Sequence, residues 1–498
     1  MMIFVTRLLF SELLLLMLAG VAVAGEDVTT RALQLYEKHR YEDAARLLRP
    51  ALATMDGNQQ AGASLALGMN YLGSAMLYRD LHKTALVIEL DYLAQLKKQK
   101  TKTPSRYVYL YLGQVLLEAG KPAEAANYLR MFSRQKGVAA AVRPYADIEL
   151  GIAYTLQKQA EKATYEWSRV DIAKPEIKAA LAGVYAMAGV NEKQPEHLAD
   201  AVMKDAKSQH SIVSARMVRN ILRAYSYSGA TEKALDLISS TDLGDASLVE
   251  NLGASKSISF YDSSVLADLA RVHLQAAVLY LERAKKDVNL SNTAEYYLAT
   301  AYLQLGNAEL SLRSSASFLS QAKLPQQYKN ITLVNQASAH SMSGRHADAG
   351  AAWMSIVDKS ADDPLLLAAV MMACTQFGED CSKLEKRSLS AVEKGEGRKF
   401  SPLNVALGKY YLARKKYPDA MLYLEAGRDK ANKNNIEVND PQMLIGLAEA
   451  NYRNKKFSEN LEIYFEIGKQ FPAVRQIQDS MQGIYAMEQQ SAGDVKIF

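Results

Sequence analysis

The sequence predicts an all-α protein, on three observations. Apolar residues recur at spacings of three and four, turn signals interrupt them at short intervals, and one residue pattern repeats along the chain. The 498 residues are 49% hydrophobic and 23% charged, which suffices to bury a core. A net charge of +5 over this length is too dilute to indicate nucleic-acid binding, and two Cys are too few for a disulfide-rich scaffold.

Residues 1–24 have the features of an export signal. Arg7 supplies one positive charge, an apolar stretch centred on Leu13–Leu16 follows, and Ala22-Val23-Ala24 forms a small-x-small cleavage site. Cleavage after Ala24 would deliver a periplasmic protein. Because Glu12 interrupts the apolar run, an N-terminal membrane anchor remains the alternative. The longest later apolar stretch, residues 365–374, is about half of what spans a bilayer, so a soluble mature protein is expected.

The repeating pattern pairs a small residue with another small residue twelve positions later. Gly113 precedes Ala125, Gly151 precedes Ala163 and Gly408 precedes Ala420. Small side chains at these positions let two antiparallel helices approach, and a Gly or polar residue between them makes the turn. Further matches to the same spacing are Ala299 with Ser311, Ala337 with Ala349 and Ala448 with Asn460, and shorter ones surround Ala44 and Ala234.

These units resemble the tetratricopeptide repeat, a helix-turn-helix motif. The resemblance implies a right-handed superhelical solenoid of about 12 repeats, with degenerate units near 65–95, 177–205, 262–285 and 364–395. The predicted organisation is a signal peptide (1–24), an N-terminal array (25–241), an irregular junction (242–264), a C-terminal array (265–472) and a capping helix with a tail (473–498).

A second regularity is a constant offset between distant residues. The offset that connects the only two tryptophans, Trp167 and Trp353, also connects Gly120 with Gly306. A duplicated block of five units and chance similarity between repeats both explain it. Both tryptophans fall at the same register of a second helix, which favours packing in the core over a role as ligand-stacking platforms.

The sequence contains no pattern that favours an enzyme. It lacks the zinc-protease His-Glu-x-x-His and a phosphate-binding glycine loop, and Ser320 with Lys323 has the Ser-x-x-Lys spacing without its companion motifs. We therefore expect a non-enzymatic interaction scaffold without cofactor or metal, serving an envelope secretion, exopolysaccharide or pilus system. The alternatives are a saccharide-binding solenoid and an accessory subunit of an envelope enzyme complex.

Two sets of residues are predicted to bind the partner. Projecting the family's groove-facing register onto this chain implies an apolar groove that takes an apolar or amphipathic segment, although these side chains could instead pack against the next repeat. Arg216, Arg219 and Arg223 are spaced by three and four, which places them on one helix face. They would anchor an acidic portion of the partner or an anionic polysaccharide, unless they are solvated or paired with a distant carboxylate. The groove set is Leu110, Ile148, Tyr296, Val334, Val405 and Ile445.

The two cysteines, Cys374 and Cys381, flank the predicted turn of one unit. Helices of one unit come close at such a turn, and an exported protein meets oxidising conditions. We therefore predict a Cys374–Cys381 disulfide, with two buried free thiols as the alternative.

Overall fold

The computed structural model describes most of the chain between residues 26 and 469. The described ranges are 26–98, 108–138, 140, 142–190, 193–208, 215–240, 248–250, 258–260, 264–321, 324–359, 363–394, 401–428 and 440–469. The predicted signal peptide and the predicted capping helix and tail lie outside these residues.

The described residues are almost entirely helical, which confirms the predicted all-α repeat fold. Helices α1 to α11 are Glu26–Glu37, Tyr41–Ala51, Gly57–Lys98, Val108–Glu118, Pro122–Ser133, Arg143–Leu156, Ala160–Ser168, Pro175–Met187, Pro195–Ser208, Ala215–Ser228 and Thr231–Ser240. Helices α12 to α22 are Ser264–Ala284, Ser291–Gln304, Ala308–Leu319, Gln326–Met342, His346–Asp358, Pro364–Phe377, Ser382–Glu393, Ser401–Ala413, Tyr417–Ala426, Pro441–Arg453 and Phe457–Gly468. Within this part of the chain, all but α3 and α12 form helix pairs, so ten helix-turn-helix units are present.

Two expectations need correction, the degenerate units and the number of repeats. The predicted degenerate units near 65–95 and 262–285 are single long helices, α3 and α12. Gly68 and Gly73 in α3 do not make a turn, because they are positions where Leu281 and Tyr41 pack closely against the helix. The junction predicted at 242–264 contains a short antiparallel strand pair, β1 (Leu248–Glu250) and β2 (Ile258–Phe260), with Val249 opposite Ser259. The number of repeats is therefore lower in the described residues than the spacing suggested, and the handedness of the solenoid stays a prediction.

Close helix approach explains the small residues of the repeating pattern. A Cβ atom at Gly113 would lie 2.5 Å from Cγ of Leu129, and one at Gly408 would lie 2.5 Å from Cγ of Leu424. Where the pattern has Ser311, its hydroxyl donates a 2.7 Å hydrogen bond to the carbonyl oxygen of Ala299, the small residue with which it is paired. The small residue is therefore a packing requirement within each pair.

The backbone divides into two compact units that do not coincide with the predicted arrays. One unit combines the described residues up to 77 with those from 273 to 469, and the other contains the described residues from 78 to 272. In the first unit, every residue from 62 to 77 of α3 is buried, and the Tyr71 ring stacks on Tyr280 at 5.7 Å between centroids. A helix that is apolar on all faces needs partners on all faces, and α12 supplies some of them.

One helix of the described residues, α12, is long and apolar enough to cross a membrane by length and composition. Of its apolar window, 72% is buried inside the chain. A core helix passes the same test, and the packing of α12 against α3 fits that explanation: a Cβ atom at Gly68 would lie 2.5 Å from Cγ of Leu281.

Candidate functional site

The six predicted groove residues do not line a groove. Each is 3% exposed or less in this structure, and all belong to first helices of their units. The prediction is wrong on this point because these first helices are buried on nearly every face. In α13, for example, every residue from 293 to 301 is buried. The apolar character of these positions therefore reflects core packing. The six are Leu110, Ile148, Tyr296, Val334, Val405 and Ile445.

The predicted arginine stripe on α10 is not an open cationic face. The Nε atom of Arg223 donates to Asp268 at 3.1 Å, and its Nη2 atom donates to Glu118 at 3.4 Å. Arg219 is buried, and Arg216 lies in α10 with a side chain outside the described residues. No carboxylate near the stripe in the sequence neutralises its charge, but carboxylates from distant helices do. The carboxylates come from 45 and 105 residues away, so they could not be read from neighbouring positions.

Both tryptophans are buried, as predicted, but their indole groups are held differently. The Nε1 atom of Trp167 donates a 3.1 Å hydrogen bond to the carbonyl oxygen of Ile148. Trp353 is 1% exposed, and its Nε1 atom has no hydrogen-bond partner among the described residues. A buried donor left without an acceptor costs about 1–3 kcal/mol.

The predicted disulfide is confirmed. Cys374, near the end of α17, is bonded to Cys381, which caps the start of α18, with 6.0 Å between their Cα atoms. The turn that they close carries Glu379, whose carboxylate accepts a hydrogen bond from the Ser341 hydroxyl and lies 2.6 Å from Nδ1 of His346. These contacts attach the bridged turn of the pair α17–α18 to the preceding helix pair, α15–α16.

A cavity of about 300 Å³ lies beside this turn. Its lining comes from α16, from the end of α17, from the bridged turn and from the start of α18. Most of the lining is apolar, and two carboxylates and an imidazole complete it. The lining residues are His346, Ala347, Gly350, Trp353, Met354, Cys374, Glu379, Asp380 and Leu384.

The electrostatics of the cavity are set by Glu379. Burial raises the pKa of its carboxyl, but the hydrogen bonds from Ser341 and His346, together with the His346 charge, outweigh burial and hold the pKa below its usual range. The carboxylate is therefore ionised at neutral pH. In the part of the chain that the structure describes, no group of three His, Cys, Asp or Glu side chains is placed to hold a metal ion.

Sequence reasoning found the disulfide and the two tryptophans but missed the cavity beside them. Glu379 and His346 are 33 residues apart, and no local pattern connects them. Gly350 offered one signal, because it is a glycine in the middle of a second helix, directly after the small residue Ala349.

The helix pairs, the regular spacing of small residues and the close packing at those residues define the chain as an α-helical repeat protein, whose pairs resemble the tetratricopeptide repeat. No protein-family model and no curated protein matches it. Among solved structures it is similar to yeast Tom70 (14% identity, TM-score 0.31, 94% of this chain and 96% of that one). It is also similar to the APC/C hetero-tetramer Cut9-Hcn1 (14%, TM-score 0.29, 94% and 97%). A third is the P58(IPK) TPR domain (16%, TM-score 0.20, 70% and 98%). These likenesses are too low to bear on function.

Proposed function

We propose that this protein is a non-enzymatic interaction scaffold, exported to the periplasm, that binds a partner protein in the assembly of an envelope secretion, exopolysaccharide or pilus system. Two structural observations and one prediction support this function: the helix-pair architecture, the Cys374–Cys381 disulfide, which is typical of proteins in oxidising compartments, and the export signal predicted for residues 1–24. Interaction is the usual use of stacked helix pairs, because they present long surfaces.

The proposal depends most on a difference in burial between the two helices of a pair. Most residues of the first helices α4, α13, α17 and α21 are buried by internal packing, whereas second helices keep an exposed face. Large apolar side chains lie on that face: Tyr165 on α7, Leu422 on α20 and Phe465 on α22 are each 62–63% exposed. Leu422 and Phe465 lie on the second helices of consecutive pairs, and we infer that the partner protein binds there.

The structure also changes which chemistry is proposed for the partner. An acidic portion of the partner was expected to meet the arginine stripe, but Arg223 already pairs with Glu118 and Asp268. Saccharide recognition is not favoured at the tryptophans either, because stacking needs an exposed ring face and both Trp167 and Trp353 are buried. The partner is therefore proposed to be a protein that offers an apolar surface.

Site-specific photo-crosslinking in the source cells tests this function. A photoreactive residue at Leu422 or at Phe465 should yield a discrete adduct with the same partner protein. Val288, which is 84% exposed in the turn after α12, is the matched control and should yield none. The absence of adducts at both second-helix positions, or equal labelling at Val288, would contradict the scaffold. The mass of the protein from the periplasmic fraction should correspond to a chain beginning at Gly25, and a full-length mass would contradict export.

A further inference from the structure

Two neighbouring turns carry five exposed basic side chains. Arg414–Lys416 form the turn between α19 and α20, and Lys455 and Lys456 lie in the turn between α21 and α22. The turns lie side by side, because the side-chain amide of Asn454 donates a 3.0 Å hydrogen bond to the carbonyl oxygen of Tyr417. These five basic residues form one surface, which we call the basic edge.

Nearby carboxylates balance the charge of the basic edge only in part. Arg414 lies 4.0 Å from Asp380 of the bridged turn. Within the described residues, none of the four lysines of the edge forms an ion pair. Asp419 and Glu459 are the other acidic residues close by, each three residues after the lysine that precedes its helix. They lie about 4.5 Å further along their helices, so a surface that touches the turns meets the lysines first.

Two of the lysines have a backbone conformation that favours glycine. Lys415 has a φ of +59° and Lys455 a φ of +60°. A side chain with a Cβ atom is sterically disfavoured there, whereas glycine is not. Because glycine would suit each turn better, the lysine side chains indicate a use outside the turn. In six other described pairs a glycine supplies the positive φ: Gly120, Gly189, Gly229, Gly306, Gly344 and Gly378.

The composition of the edge favours one class of anionic partner. Four of its five cations are lysines, which act as point charges on flexible stems and lack the rigid fork with which arginine pairs a carboxylate of a peptide. Tyr410 and Tyr411 beside the edge are buried, under Arg414 and Lys416, so they offer no open ring face on which a sugar could stack. A lipid bilayer with anionic headgroups presents many charges in one plane and attracts every lysine within about 8 Å of it.

We propose that the basic edge is a contact surface for anionic phospholipid bilayers, which holds the protein at a membrane reversibly by attraction between its lysines and the lipid headgroups. The contact is electrostatic and superficial, because none of the large apolar side chains that are exposed in the described residues lies in either turn. This inference goes beyond the scaffold function and does not depend on it.

Flotation of the mature protein, purified from the periplasmic fraction, with lipid vesicles tests the contact. Vesicles of phosphatidylcholine with about 30 mol% phosphatidylglycerol should bind the protein, and vesicles of phosphatidylcholine alone should not. Raising the salt concentration from about 50 mM to about 500 mM should release it, because the attraction is screened.

A glycine substitution removes charge without harming the turns. Lys415→Gly combined with Lys455→Gly supplies the residue that the positive φ favours, so the melting temperature should not fall. Each charge removed should weaken vesicle binding about fivefold, which gives about 25-fold for the double variant. Lys158→Gly is the matched control, since Lys158 has a φ of +60° in the turn between α6 and α7, outside the basic edge. It should leave vesicle binding unchanged.

Four results would overturn the membrane contact: no binding to the anionic vesicles, equal binding to both kinds of vesicle, undiminished binding of the double variant, or an equal loss in Lys158→Gly. Binding to the anionic polysaccharide alginate without binding to vesicles would also overturn it and would assign the edge to a polysaccharide. Loss of crosslinks at Leu422 and Phe465 with vesicle binding intact would instead remove the scaffold function and leave the membrane contact.

Discussion

Substituting Gly151 by alanine is the sharpest test of how the helix pairs are packed. The added Cβ atom would lie 2.1 Å from Nε1 and 2.4 Å from Cε2 of Trp167, far inside van der Waals contact. The indole must therefore move, and its hydrogen bond to the carbonyl oxygen of Ile148 is lost with it. Three effects determine the change in the free energy of unfolding.

Overpacking of a core position costs about 1–3 kcal/mol, and the lost hydrogen bond costs about 1 kcal/mol more. Alanine in place of glycine in a helix returns about 1 kcal/mol. The net destabilisation by Gly151→Ala is thus about 1–3 kcal/mol, below the ~3–5 kcal/mol expected for Trp167→Ala. Gly350→Ala is the matched control, since its Cβ atom meets nothing within 4 Å and only the helix-forming gain of about 0.5–1 kcal/mol remains.

The two glycine substitutions are thus expected to have opposite signs. Because each repeat contacts mainly its neighbours, the effect should be local. Native-state hydrogen exchange resolves it: amides of α6 and α7 should lose protection in Gly151→Ala, and amides of α16 should gain it in Gly350→Ala. Urea unfolding followed by Trp167 fluorescence, in a Trp353→Phe background, gives a second measurement. A Gly151→Ala protein as stable as wild type, with unchanged exchange in both helices, would refute the packing argument.

Three further predictions concern the disulfide and two charged sites. Reduction of the Cys374–Cys381 bridge, which closes a loop with a sequence separation of 7, should lower local stability by about 2.5 kcal/mol, and two reactive thiols in denatured, unreduced protein would contradict the bridge. Arg223→Met should destabilise its unit by about 3–5 kcal/mol because Asp268 stays buried without that partner, with the double variant that also has Asp268→Leu recovering much of the loss in urea unfolding. The pKa of Glu379 lies below its ordinary value near 4.5, so the ionised carboxylate stabilises the fold above that pH. This stability is lost as the pH falls through the lowered pKa. Glu379→Gln should therefore reduce the fall of the melting temperature at acidic pH.

The sequence by itself determined the features that depend on neighbouring residues. The pairs α4–α5, α6–α7 and α19–α20 follow from apolar spacing and small residues twelve positions apart, because contacts within a helix pair are local. The Cys374–Cys381 bridge followed for the same reason, since its two residues flank one turn. Burial of Trp167 and Trp353 could be predicted because they share a core register.

Only the tertiary structure decided which surfaces are free. The six groove candidates, Val334 among them, became core because the first helices are surrounded on nearly all faces, and apolar residues on an outer face look the same in sequence as apolar residues inside. Arg223 lost its expected role because Glu118 and Asp268, distant in sequence, lie beside it. The cavity likewise depends on contacts that no local pattern records, since Glu379 of one unit meets His346 of the preceding unit. Local rules specify each helix pair, whereas the surface left for a partner depends on how the pairs and the long helices fill one another's spaces.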